Sequence, residues 1–256
     1  MRSFIAFYKK ELLEGVRSSR LTVLAVIFAL LGVMNPAIAK LTPWMLELFS
    51  EQLADSGIIL NGVTVDALTS WTQFFKNIPM GLIAFVLLFG ASFTKEYESE
   101  TLVLIVTKGF SRAKIVMAKT AYLLSLWTFG YWLCFAITYL YNAYFWDNAI
   151  AKGLFPSVLF YFVFGIFVIF LLVFISVLVR SYGVLLLSLG ISLLAVYLLS
   201  LIPKLSRFTP FALTDSAALL VGAEAAGEFI VSLCISLLIS AVCFGLAIPL
   251  FNKKQL

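Results

Sequence analysis

Six stretches of this chain are apolar enough, for long enough, to cross a lipid bilayer, and that property narrows the folds open to it more than any motif does. A helix needs about 20 mainly apolar residues to span roughly 30 Å of hydrocarbon. Residues 21–39, 74–93, 115–146, 154–179, 183–202 and 229–251 meet that requirement. The expected fold class is an all-α membrane protein with six transmembrane helices, organised as one transmembrane domain over residues 1–256. The third run is long enough to tilt or to project beyond the membrane.

Composition agrees and removes several function classes. The chain is 62% hydrophobic and 12% charged, whereas a soluble domain carries about a quarter charged residues. With apolar runs spread from Leu21 to Phe251, no stretch is left for a soluble catalytic domain. Histidine is absent, and with it the commonest neutral-pH general base and metal ligand. Cys134, Cys234 and Cys243 all lie inside apolar runs, without the C-x-x-C spacing of redox or zinc sites. No catalytic residue and no metal site are expected. The net charge of +5 is scattered over several loops and is not gathered into a patch for nucleic acid.

Basic residues orient the chain. With the N-terminus in the cytoplasm, only Lys40, Lys76, Lys152, Lys204 and Arg207 fall outside, and the other thirteen of the 18 Lys and Arg lie inside. The positive-inside rule therefore predicts a plasma-membrane protein with cytoplasmic N- and C-termini. Lys76 and Lys119, near the starts of their spans, are expected to snorkel to the interface on long stems. A rival reading takes 21–33 and Ala37-Ile38-Ala39 as a signal-peptide core and cleavage site. Against it, Ile5, Tyr8, Leu12 and Val16 recur at helical spacing opposite Lys9, Lys10, Glu14 and Arg17, which predicts an interfacial amphipathic helix within 1–20. Lys9, Lys10 and Arg17 would face anionic lipid or a partner's acids.

Two outer features are expected. Thr42-Pro43 has the form of a cap followed by a first-turn proline, predicting a short helix with Leu46, Phe49 and Leu53 on one side and turns at 55–57 and 61–62. Residues 208–221 are moderately apolar but too short to span, which predicts a re-entrant or interfacial segment before the last span. No two glycines stand four apart, so G-x-x-x-G packing is absent. The spans carry no acidic residue in their middles, which disfavours ion-coupled carriers. Residues 141–146 fit an interfacial aromatic belt. Tyr131 and Trp132 lie deeper and are candidates for a substrate path.

The charged loop at 95–119 carries the functional information. After Lys95, Glu96, Glu98 and Glu100 comes the apolar run 101–106, too short to span, which predicts a helix half buried at the cytoplasmic membrane face. Residues 108–112 then make a turn and a cationic restart. The string E-Y-E-S-E-T-L-V-L-I-V-T-K-G-F-S-R-A-K-I-V-M-A-K, 96–119, resembles the coupling loop of type-2 permeases of ATP-binding-cassette exporters, whose pattern is approximately E-x-E-x-G-T, a hydrophobic stretch, a proline turn, S-R and a later lysine. Glu96, Glu98, Thr101, Ser111, Arg112 and Lys119 match it, while Glu100 replaces the glycine and Gly109 sits near the proline. The surface helix with Lys9-Lys10-Glu11, the six spans and the outer segment before the last span fit the same family.

The resemblance implies a coupling helix after the second span and no enzyme activity in this chain. ATP and Mg would sit on a separate cytoplasmic ATPase subunit, and the permease would pair as a homodimer or heterodimer. The chain contains no G-x-x-x-x-G-K-[ST] phosphate loop. Glu96, Glu98, Thr101, Ser111 and Arg112 are the expected ATPase-coupling residues. A path rich in Phe and Leu suits hydrophobic or amphipathic cargo, with a peptide or antimicrobial compound favoured. The alternative is a membrane scaffold or regulatory subunit that passes no cargo.

Overall fold

The computed structural model describes residues 2–48, 65–98, 107 and 110–253. Among them every regular element is helical, and no strand occurs. The α-helices are α1 (Arg2–Arg17), α2 (Arg20–Leu48), α3 (Ala67–Phe89), α4 (Ala91–Glu98), α5 (Arg112–Phe145), α6 (Leu154–Leu178), α7 (Tyr182–Ser200) and α8 (Ile230–Lys253). By length and composition, α2, α3 continued by α4, α5, α6, α7 and α8 are each able to cross a membrane.

The helices start and stop at different places from the apolar runs, because their ends follow backbone hydrogen bonding as well as hydropathy. Asp66 starts α3 well before residue 74 by accepting the Thr69 amide at 2.9 Å, so that an otherwise orphan donor is satisfied. Thr42 and Pro43 do not open a new helix: α2 runs unbroken through both to Leu48. The Thr42 hydroxyl donates to the Ile38 carbonyl at 2.8 Å, one turn back, as Thr does inside helices. The rest of that expected outer helix, with Phe49 and Leu53 and the turns at 55–57 and 61–62, lies outside the described residues. The 34 residues of α5 extend about 51 Å, well beyond a ~30 Å hydrocarbon core.

α2, α3 and α5 pack together, α6 lies between α5 and α8, and α1 crosses α5 and α2 at one end of the bundle. Aromatic rings fill the centre. Trp127 meets Phe28, Phe85 and Tyr131 with ring centroids 5.3–6.0 Å apart, and Tyr131 continues the contact to Phe74 and Tyr161. Both polar tips are satisfied by helix carbonyls: Trp127 Nε1 donates to Phe162 O at 3.2 Å and Tyr131 Oη to Val158 O at 2.6 Å. Gly165 makes this approach of α5 to α6 possible, since a Cβ there would fall inside the Trp127 ring.

Between α2, α3 and α5 runs a seam of buried amides and hydroxyls. Asn77 donates to Asn35 at 2.9 Å, Asn35 to Thr138 at 2.9 Å, and Thr138 to the Gly32 carbonyl at 3.0 Å. Gln73 extends the seam by donating to Asn77 at 3.0 Å. In an apolar bundle such directional bonds fix which helix faces meet, because slippage would strand buried polar atoms.

At the end away from α1, residues 208–221 form a 3-10 helix at Pro210–Val221, too short to cross a membrane. It ends at Gly222 in the left-handed conformation (φ 68°) and is pinned to α6 by Ser216, whose hydroxyl donates to Ser157 O at 3.0 Å. α7 is the least embedded helix, with only Leu185 and Leu189 buried.

Gly165→Ala should lower stability by about 1–3 kcal/mol through overpacking against Trp127, whereas Gly245→Ala, where a Cβ meets nothing within 4 Å, should be tolerated. Thermal unfolding in detergent compares the two.

Candidate functional site

The two-residue turn Ser18-Ser19, with Ser19 in the left-handed region (φ 57°), folds α1 back beside the start of α2. The inward face of α1 carries Phe7, Glu11 and Gly15, four residues apart. This differs from the expected face. Ile5, Leu12 and Val16 remain exposed, and Tyr8 is half-buried with its hydroxyl donating to Ser125 at 3.0 Å. Two contacts choose the face: Gly15 lets α1 approach Tyr122, where any Cβ would collide with the phenol, and Glu11 finds a buried cation.

That cation is Lys119, on α5. It does not snorkel: its side chain is 1% exposed, against 6% for Glu11 and 10% for Glu96. Lys119 Nζ lies 3.1 Å from Glu11 Oε1 and 3.1 Å from Glu96 Oε2, and donates to the Ser92 carbonyl at 2.8 Å. Carboxylates and a carbonyl from the neighbouring helices replace the water that the ammonium would otherwise seek. Its contact with Glu96 Oε2 is electrostatic, since that oxygen accepts no hydrogen bond. The rings of Phe7 and Phe93 stand 5.7 and 5.4 Å from Nζ and close the site to solvent.

Lys10 extends the cluster towards the surface, 2.7 Å from Glu96, 3.1 Å from Glu11 and 3.3 Å from Glu14, and Lys95 stands 3.9 Å from Glu14. Lys10, Lys95 and Lys119 thus balance Glu11, Glu14 and Glu96 across α1, α4 and α5. Burial alone would lower the Lys10 pKa, but the Glu96 hydrogen bond and the charges of Glu11 and Glu96 overcome it and hold the ammonium above its ordinary range. For Glu14, partial burial pushes upward, and the Lys10 charge and hydrogen bond outweigh it, so the carboxyl is held below its ordinary value.

The other expected site residues are dispersed. Ser111 is the exposed N-cap of α5, its carbonyl accepting from the Lys114 and Ile115 amides. Arg112 donates to the Phe251 and Asn252 carbonyls, both at 3.1 Å, and so ties the last turn of α8 to the start of α5. Glu98 closes α4, while its side chain, Thr101 and the expected coupling helix at 101–106 lie outside the described residues. Lys9 and Arg17 are exposed on α1. Tyr131 is wholly buried in the aromatic core, and Trp132 is half-buried against Phe135 and Phe162. Neither lines the apolar cavity of about 510 Å³ between α3, α6, α7 and Pro210–Val221. Arg207 and Glu228 pair at 2.9 Å at the end away from α1.

Sequence reasoning missed Glu11 as the partner of Lys119, and missed the Asn35, Asn77 and Thr138 seam. The signal for Glu11 was its place in register with Phe7 and Gly15; for the asparagines it was an amide inside an apolar run.

Comparison with protein-family models gives no match, and comparison with curated proteins gives none either. What the helices define is a class: a multi-pass bundle with six helices apolar and long enough to cross a membrane. Among the described residues, a cluster of ion pairs joins α1, α4 and α5 at one end of the bundle.

Removing one partner of a buried ion pair costs about 3–5 kcal/mol, because the other charge is left unpaired. Lys119→Met should therefore strongly lower the unfolding midpoint, and Lys9→Met, on the exposed face, should leave it unchanged. The pH dependence follows from the two shifts. The depressed Glu14 carboxyl contributes stability above an unfolded value near 4.3, and this is lost as pH falls through its lower folded value. The raised Lys10 contributes stability below about 10.4, lost as pH climbs through its higher folded value. Unfolding midpoints should be flat between about pH 5 and 10 and fall in acid, with a shallower acid limb in Glu14→Gln.

Proposed function

We propose that this chain is the membrane-spanning subunit of an ATP-driven exporter of the type-2 permease class, moving a hydrophobic or amphipathic substrate, with a peptide or antimicrobial compound favoured. A separate cytoplasmic ATPase subunit binds ATP and Mg, and the permease works as a homodimer or heterodimer. The observation that carries this reading is the burial of Lys119 between Glu11 and Glu96. α4 ends at Glu98, shortly before residues 101–106, where the coupling helix is expected. A push on that helix acts on α4, and the cluster joins α4 to α1 and to α5, one of the long candidate spans.

The physics favours transmission over local yielding. Separating the cluster exposes unpaired buried charge at about 3–5 kcal/mol, whereas tilting three joined helices together keeps every pair. A partner drives such a change only if it binds the two arrangements unequally. Glu98, Thr101, Ser111 and Arg112 are assigned to that partner surface, with Glu96 acting from inside as the anchor. The cluster then faces the cytoplasm, the side to which thirteen of the 18 basic residues are assigned. The exposed Ile5, Leu12 and Val16 lie along the bilayer surface.

In inverted vesicles containing the partner ATPase, Lys119→Met should keep ATP hydrolysis and lose most uptake of a hydrophobic peptide. Full transport by this variant would remove the proposed coupling role. Orientation is tested separately: a thiol at Ser18→Cys should be shielded from an impermeant reagent in intact cells and one at Glu224→Cys should react. The reverse pattern would overturn the reading whatever the transport result.

A further inference from the structure

Pro36 and Pro249 each lie inside a long helix, and each stands four residues after a glycine, Gly32 in α2 and Gly245 in α8. A proline has no N–H to give the carbonyl one turn back, so the Gly32 and Gly245 carbonyls both lose their regular helical donor. Glycine adds to the weakness, since it gives up more backbone freedom in a helix than any other residue.

The surroundings of the two turns are opposite. In α2 the Thr138 hydroxyl of α5 donates to the Gly32 carbonyl at 3.0 Å, and a Cβ at Gly32 would fall 2.9 Å from Ile137 Cβ and 3.0 Å from the Cys134 carbonyl. The lost bond is replaced and the turn is held against α5. In α8 no side chain of the described residues donates to the Gly245 carbonyl, a Cβ at Gly245 would meet nothing within 4 Å, and Pro249 is exposed. That face of the turn is unsupported.

Beyond Pro249 the chain is fixed by other elements. Arg112 donates through one guanidinium nitrogen to the Phe251 and Asn252 carbonyls, both at 3.1 Å. Its charge opposes the macrodipole of α5, at whose N-terminal end it sits, and complements that of α8, at whose C-terminal end its bonds fall. Phe251 is wholly buried with its ring 6.5 Å from that of Phe93 on α4, and Phe93 stands 5.4 Å from Lys119 Nζ. The last turn of α8 is thus held by α4 and α5, two helices of the ion-pair cluster. The part before Gly245 belongs to other neighbours: Phe244 meets Phe170 of α6 at 5.5 Å, and the Ser232 hydroxyl donates to Thr209 O at 2.5 Å.

We propose that residues 245–249 are a hinge in α8: the turn 250–253 moves with α4 and the start of α5, and the rest of the helix stays with α6. Arg112 sets the hinge angle. The hinge stands on backbone chemistry and packing; what it adds to the transport reading is a place where displacement of the cluster is taken up without pulling α8 off α6.

The test is a distance measurement between two spin labels on α8 of the full chain in lipid nanodiscs. No partner is present, so its outcome does not depend on the transport reading. In a Cys134→Ala, Cys243→Ala background, labels sit on the exposed Cys234 and on Lys253→Cys, on either side of the hinge and about 28 Å apart along a straight helix. With Arg112 in place the distance distribution should be narrow. Arg112→Gln frees the last turn and should broaden it at least two-fold, and adding Pro249→Ala, which returns the missing N–H, should narrow it again. If Arg112→Gln fails to fold, as judged by thermal unfolding, Phe251→Leu, which loosens the contact with α4, replaces it with the same expectation. A distribution as narrow in the folded variant as in the parent would show α8 to be stiff throughout and overturn the inference. Broadening that Pro249→Ala leaves unchanged would assign the motion to fraying of the helix end and overturn it equally.

Discussion

A primary ammonium sealed between two carboxylates organises one end of this molecule. Most other contacts in the bundle are apolar and largely non-directional; ring against ring and Leu against Leu tolerate sliding at little energetic consequence. Lys119 does not, because desolvating an ammonium is affordable to the fold only while Glu11, Glu96 and the Ser92 carbonyl all remain in place. α1, α4 and α5 are therefore positioned together or not at all. The amide seam of Asn35, Asn77 and Thr138 does the corresponding task deeper in the bundle for α2, α3 and α5. α5 belongs to both sets, so a rotation of that helix is felt at both.

The bundle has a firm side and a loose one. α2, α3, α5 and α6 share the aromatic core, in which Trp127 and Tyr131 are buried with their polar tips bonded to helix carbonyls. α7 has two buried residues and borders the large apolar cavity, and the Tyr182 hydroxyl, donating to Leu87 O at 2.8 Å, is its bond to α3. The firm half carries the charge cluster, and the loosely held α7 borders the apolar groove.

Hydropathy made the six spans legible, because the length needed to cross hydrocarbon is a property of the chain alone. It left their ends uncertain. Asp66 begins α3 before the apolar run, and Thr42 with Pro43 has the local form of a helix start yet lies within α2. A capping pattern states what a hydroxyl can do; whether it caps or bonds back depends on the path the chain takes next. The candidate site was partly legible. The loop and Lys119 stood out by composition, but the burial of Lys119 did not, since snorkelling and pairing begin from the same long stem and differ only in whether a carboxylate waits at the other end. Glu11 lies 108 residues away in sequence, and no local pattern connects the two. The inward face of α1 was misread for the same reason: Ile5, Leu12 and Val16 have the stronger apolar periodicity, but Gly15 and Glu11 have the partners.

The sequence by itself determined the class of structure and its expected orientation, because the number of apolar spans and the asymmetry of basic loops are sums over residues that need no knowledge of neighbours. Only the tertiary structure decided which polar residues are buried, which face of α1 turns inward, and that an apolar groove lies beside α7. Those are properties of pairs and groups of residues distant in the chain, and they exist only once the helices have packed.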